Sequence, residues 1–202
     1  MEFSKKELIK QGWEATKANA FFLAKLLLIY IFISILTNAI QTSVQDQIAL
    51  ALIISLISTV ISTVLEIGWI RIVLDIVDNK KPDIKELYQN YPLFIQFFLT
   101  NLILVVIVLI GTILLIIPGI YLAVRYQFTP YVVVDKKLAY LTALKEAGKL
   151  TQGRWMAIFL FDLTLIGLNI LGAIALGIGL LITIPVSFLA TSYLYRRLAS
   201  GK

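Results

Sequence analysis

Four ionisable side chains stand inside long apolar runs: Lys25, Glu66, Arg125 and Asp162. Charges are expensive in lipid, and where membrane segments carry them they often line a path for ions or solutes. Either carboxylate could also act as acid or base toward a lipid, but no second catalytic motif accompanies them. The chain has no histidine and no cysteine. That removes imidazole bases, thiolate nucleophiles, disulfides and ordinary zinc sites. We therefore expect no catalytic, cofactor-binding or metal-binding residues and no enzymatic activity.

The elements that must position these charges follow from composition. Of 202 residues, 59% are hydrophobic and 15% charged, and the mean hydropathy of +0.91 lies outside the range of an average soluble domain. A backbone in lipid must satisfy its own hydrogen bonds, and unbroken apolar runs select helices over a closed barrel. The expected fold is all-α: a polytopic membrane protein forming one domain over residues 1–202. Six spans are read at about 20–40, 48–73, 92–110, 113–134, 155–171 and 178–195. The first run follows a charged segment and contains Lys25, so it reads as a retained span rather than a signal peptide.

Basic residues decide orientation. Lys5, Lys6, Lys10 and Lys17, then Arg71, Lys80, Lys81 and Lys85, then Lys136, Lys137, Lys145, Lys149 and Arg154, then Arg196, Arg197 and Lys202 all fall on one side of a six-span arrangement. The connections on the other side, QTSVQDQ, the Gly111 turn and GAIALGIG, hold none. The basic side is expected to be cytoplasmic, with both termini there, in a multi-pass protein of the cell membrane. The net charge of +6 is accounted for by this topology, so no nucleic-acid partner is expected.

Three segments on that side read as interfacial amphipathic helices, each preceding a transmembrane hairpin: residues 4–19, 83–90 and 138–152. In the first, Ser4 and Glu7 form a capping box with Phe3 and Leu8 as its staple. Ile9, Trp13 and Thr16 share a face opposite Lys6, Lys10, Glu14 and Lys17. That helix is expected to lie among headgroups, anchored by Trp13 and attracted to anionic lipid. Asp83 and Glu86 repeat the cap pattern; in the third segment Leu141 and Leu144 oppose Lys145 and Lys149, and Trp155 anchors the span that follows.

The spans echo one another. Ile117-Pro118 with Tyr121, Leu122, Ala123 and Tyr126 matches Ile184-Pro185 with Phe188, Leu189, Ala190 and Tyr193, and VDNKK at Val77 matches VDKK at Val134. An internal repeat of this kind is common in transporters and also occurs in proteins that shape or scaffold a bilayer. The stretches PGIYLAVRYQFTPYVVVD, ALKEAGKLTQGRW, LNILGAIALGIGLLITIP and SYLYRRL resemble the membrane domain attached to some bacterial glycerophosphoryl diester phosphodiesterases, and related uncharacterised six-span families of bacteria and archaea. The likeness covers about residues 68–198. It implies the membrane part alone, because the chemistry of those relatives resembles that of a soluble barrel with acidic residues, histidines and a divalent metal.

Arg125 poses the sharpest structural question. With a turn at Gly111-Thr112 it lies near mid-membrane, at a depth where Asp162 and Glu66 could pair with it. With a turn at Pro118-Gly119 it could instead snorkel outward between Tyr121 and Tyr126. Lys25, near a span end, is expected to snorkel, and Arg71 with Asp75 to form an i,i+4 ion pair. Asn38, Asn101 and Asn169 fit interhelical hydrogen bonds. The expected function is a non-catalytic membrane protein that organises membrane lipids or a partner, including another copy of itself. The alternative is a small-solute transporter or channel built on the charged cluster.

Overall fold

In the computed structural model, which describes residues 3–175 and 177–201, the chain is helical and has no strand among those residues. The helices are α1 (Lys5–Ala18), α2 (Ala20–Ser43), α3 (Ile48–Val77), α4 (Glu86–Gln89), α5 (Phe94–Leu114), α6 (Ile116–Tyr126), α7 (Thr129–Lys136), α8 (Tyr140–Leu150), α9 (Trp155–Ile174) and α10 (Leu180–Ala199). A single 3-10 turn, Tyr91–Leu93, leads into α5. Four segments are long and apolar enough to cross a membrane: α2, α3, Glu86–Leu114 and α9. The expected span at 178–195 appears as α10, long enough but less apolar, and its Pro185, Val186, Ser187, Leu189, Ala190, Ser192, Leu194, Tyr195 and Leu198 are buried.

The expected span at 113–134 is not one helix. α5 runs straight through Gly111-Thr112, and the chain reverses at Leu115, whose extended backbone (φ −163, ψ 145) separates α5 from α6. Neither turn anticipated from the sequence is therefore used. A second break falls at Gln127-Phe128. Pro130 has no N–H to return to the Tyr126 carbonyl one turn earlier, so a continuous helix would leave that acceptor orphaned. The Thr129 hydroxyl donates to it at 2.6 Å, and Pro130 sits in the first turn of α7, where a missing N–H costs nothing.

Two apolar clusters hold the bundle. One joins Leu8, Ile67, Ile70, Leu74, Phe97, Phe128, Val132–Val134, Ile158, Phe161, Leu194 and Tyr195; the other joins Leu23, Leu26, Leu27, Trp69, Ile72, Val73 and Leu189. α10 enters both and is the helix around which α1, α2, α3 and α9 gather. Away from this base the helices are barely covered. Phe32, Ile35, Leu52, Leu56, Ile113, Leu171 and Ile174 all present large apolar surface, as lipid-facing positions do.

The amphipathic segments differ from expectation. α1 starts where the cap predicts, with the Glu7 N–H donating to Ser4 Oγ at 3.3 Å. Its buried residues, however, are Leu8, Gly12 and Thr16, a stripe that keeps Thr16 of the expected face but puts Leu8 and Gly12 inside in place of Ile9 and Trp13. This stripe docks on α10, where a Cβ on Gly12 would fall 2.7 Å from the Val186 carbonyl oxygen. The absence of that Cβ is what lets the two backbones meet. The helix expected over 83–90 shrinks to α4, because the Asp83 carboxylate accepts from the Lys85 N–H at 2.9 Å and closes a turn instead. α8 buries Ala143, Ala147 and Gly148 rather than Leu141, which stays exposed. At Gly148 the space is taken by α6, where a Cβ would stand 3.2 Å from the Tyr126 ring.

Candidate functional site

The charged residues at the C-terminal ends of α3, α7 and α10 form one network. Arg196 donates from Nη1 to Asp135 Oδ2 at 2.7 Å and from Nη2 to Asp78 Oδ2 at 2.6 Å. The Tyr195 hydroxyl donates to the same Asp135 oxygen at 2.8 Å. Lys80 stands 3.5 Å from Asp75 and 3.7 Å from Asp78, and Arg71 is 3.1 Å from Asp75, the i,i+4 pair expected from the sequence. Arg197 reaches Glu7 at 3.2 Å and so ties α1 to the same end. Lys136 binds Glu146 at 2.7 Å, joining α7 to α8, and holds that carboxyl below the usual glutamate range. Sequence reasoning did not single out Arg196. The signal was present in the repeated VD pair, since Asp78 and Asp135 are its two aspartates.

Arg125 pairs with neither proposed acid. No carboxylate among the described residues lies within ion-pair distance of it. Its Nη1 donates to the Tyr121 hydroxyl at 2.8 Å, and its guanidinium carbon lies 5.7 Å from the Tyr121 ring and 5.6 Å from the Tyr126 ring. Nε is buried without a hydrogen-bond partner. The Thr151 hydroxyl donates to the Arg125 carbonyl at 2.8 Å, and a Cβ on Gly148 would stand 3.7 Å from Arg125 Nε. Tyr121 meets Trp155 edge-on at 5.6 Å. Arg125 therefore stands at the α8–α9 junction, beside the first residue of a membrane-length helix. The mid-membrane depth expected for it assumed an unbroken helix down to Val134, and the break at Gln127-Phe128 removes that assumption.

Asp162 is claimed by a different residue of the same segment. Gln127 Nε2 donates to its Oδ2 at 2.9 Å. The enclosed Tyr131 sits close by, with Ser192 as its polar neighbour and Glu66 and Asp162 as its charged ones. One turn pair farther along, Asn169 Nδ2 donates to Ser187 Oγ at 3.0 Å, joining α9 to α10. Glu66 is exposed and has no hydrogen bond or ion pair among the described residues. It continues a polar face of α3 made with Ser55, Thr59 and Ser62 at i, i+4, i+7 and i+11. α2 carries a comparable row in Ser34, Thr37, Asn38 and Gln41. Lys25, also exposed, lies 4.2 Å above the Phe21 ring. The four intramembrane charges are thus not one cluster. Trp13 is 45% exposed on the rim of the groove between α1 and α10.

No group of three or more acidic residues among those described is placed to hold a metal ion. The arrangement offers cohesion between helices and one guanidinium held by aromatic rings.

Comparison with known proteins places the chain among proteins of unassigned role. The family described as a protein of unknown function, DUF975, matches residues 100–202, and the chain belongs to it. It is similar to the uncharacterized protein Rv2560 of Mycobacterium tuberculosis, at 28% identity over 129 residues. It is equally similar to the uncharacterized protein Mb2590 of Mycobacterium bovis. In each case the match covers 64% of this chain and 39% of the relative, so the chain spans about two fifths of the curated relatives it matches. Neither the family description nor these names refer to a glycerophosphoryl diester phosphodiesterase. No solved structure matches the chain.

Proposed function

We propose that this DUF975 member is a non-catalytic integral membrane protein that organises lipid or a membrane partner. The observation that carries the reading is the closed network at the basic end. Asp78, Asp135 and Arg196, with Glu7–Arg197 and Lys136–Glu146, tie α1, α3, α7, α8 and α10 to one another. Charges consumed in holding helices together suit a fixed scaffold better than a device that must alternate between two packings. The apolar helices above that base then present their surface to acyl chains or to another membrane protein.

In this reading the basic end is cytoplasmic, both termini lie there, and the chain crosses six times, with α6 and α7 as one broken crossing and α10 as the sixth. The charge distribution supports that orientation. Ser43→Cys and Lys81→Cys, introduced singly into the cysteine-free chain, should label from opposite faces of sealed vesicles; labelling from the same face overturns the arrangement.

The rival reading, a small-solute transporter or channel, is favoured by the polar rows on α2 and α3 and the exposed carboxylate of Glu66. Solute flux in proteoliposomes, set beside native mass spectrometry of the purified protein, separates the two. Retained lipid or a stable complex without flux supports the scaffold. Flux lost on Glu66→Gln supports the transporter.

A further inference from the structure

We propose that Arg125, held between Tyr121 and Tyr126 at the α8–α9 junction, binds the phosphate of an anionic phospholipid headgroup. The inference rests on the lipid-organising reading and gives it a site.

Three features of the residue point that way. First, the guanidinium is prepared but uncommitted. Tyr121 takes one Nη1 hydrogen at 2.8 Å and two aromatic rings face the cation, while no acid among the described residues neutralises it. Of the other arginines, Arg71, Arg196 and Arg197 have a carboxylate within 3.2 Å, and Arg154 has none among the described residues. Second, only the inner edge is closed. Nε is buried on the side of Gly148 in α8, whereas the residue as a whole is half-buried. Nη2 makes no hydrogen bond among the described residues and is not enclosed, so the outer edge, Nη2 with the second hydrogen of Nη1, offers the planar fork that suits two phosphate oxygens.

Third, the surroundings match a headgroup. Trp155 touches Tyr121 and begins a membrane-length helix, which is where amphipathic aromatic rings settle at a bilayer interface. Lys145 and Arg154, on the segment that packs against Arg125, make no ion pair among the described residues and add positive potential. Lys149 is only loosely engaged, at 3.9 Å from Glu146. An anion entering here meets a site whose geometry is already paid for, which is the condition for selectivity over general surface attraction.

Free phosphate presents the same chemistry, and the test separates the sources. The full chain is placed in phosphatidylcholine nanodiscs containing phosphatidylglycerol, and bound lipid is read by native mass spectrometry and by the shift in melting temperature. Arg125→Lys keeps the charge but loses the fork. Tyr121→Phe leaves the arginine and removes the hydroxyl that orients it. Arg125→Lys should weaken phosphatidylglycerol retention by about tenfold, the size of one charge-assisted bidentate contact, and Tyr121→Phe by a smaller factor. Both should melt like the wild type in pure phosphatidylcholine, so that a fold defect is seen separately.

Equal retention by wild type and Arg125→Lys overturns the site while leaving the lipid-organising reading in place. A wild type that retains no phosphatidylglycerol over phosphatidylcholine overturns both. Stabilisation by inorganic phosphate alone, in discs free of anionic lipid, overturns the lipid assignment and gives the site to a soluble anion.

Discussion

Asp78 and Asp135 close two different helices and bind opposite nitrogens of one guanidinium, Arg196, at 2.6 and 2.7 Å. Each follows a valine in a VD pair that precedes lysines, and each sits where its helix gives way to a residue with positive φ, Asn79 and Lys137. The bridge is three-bodied. Arg196→Leu leaves the two carboxylates without the guanidinium they share, with only the Tyr195 hydroxyl still donating to Asp135, and should destabilise the protein by about 2 kcal/mol, a buried-pair cost discounted for the partial exposure of all three residues. Adding Asp78→Leu and Asp135→Leu should recover much of that loss in chemical denaturation. Absence of recovery would show that Arg196 acts by packing alone.

Gly12 decides whether α1 belongs to the bundle. Any side chain there must displace the α10 backbone at Val186 or Ala190, and overpacking at a helix contact costs about 1–3 kcal/mol. With Glu7→Cys and Arg197→Cys in the otherwise unchanged chain, a short bifunctional thiol reagent should give a cross-link, since the longer native side chains meet tip to tip at 3.2 Å. Gly12→Leu should suppress it. Unchanged cross-linking would mean that α1 is held elsewhere.

A double-mutant cycle separates the observed partner of Asp162 from the anticipated one. Gln127→Leu and Asp162→Leu should show coupling of about 1 kcal/mol, the size of an interhelical hydrogen bond in a membrane protein. Arg125→Leu and Asp162→Leu should be additive. Coupling confined to the second pair would reverse the assignment.

The Lys136–Glu146 pair supplies a pH signature. The hydrogen bond and charge of Lys136 lower the folded pKa of Glu146 from its ordinary 4.5. The folded state therefore gains from the ionised carboxylate above that value and loses the gain as pH falls through the lowered one. The melting-temperature advantage of wild type over Lys136→Gln should be present at pH 7 and shrink below about pH 4.5. An advantage unchanged at pH 3 would assign it to the lysine's methylenes.

The sequence by itself determined the class and the punctuation. Hydropathy identified the membrane-length helices at α2, α3, α5 and α9, and the Ser4–Glu7 box located the start of α1, because both are local properties of a short stretch of chain. The Arg71–Asp75 pair was legible for the same reason, its partners being one turn apart. Only the tertiary structure decided which face of α1 is inside, since Gly12 looks like a breaker until the backbone of α10 is brought against it. It also decided the partners of Arg125 and Asp162. Depth counted along a straight helix placed both at matching levels, but Pro130 leaves the Tyr126 carbonyl to the Thr129 hydroxyl and breaks that helix. Two residues of offset were then enough to give the carboxylate to Gln127 and the guanidinium to a pair of tyrosines. Arg196 was hidden for a more general reason: its aspartates lie at the ends of α3 and α7, and the repeated VD pair marks the two acids without showing which cation, far along the chain, bridges them.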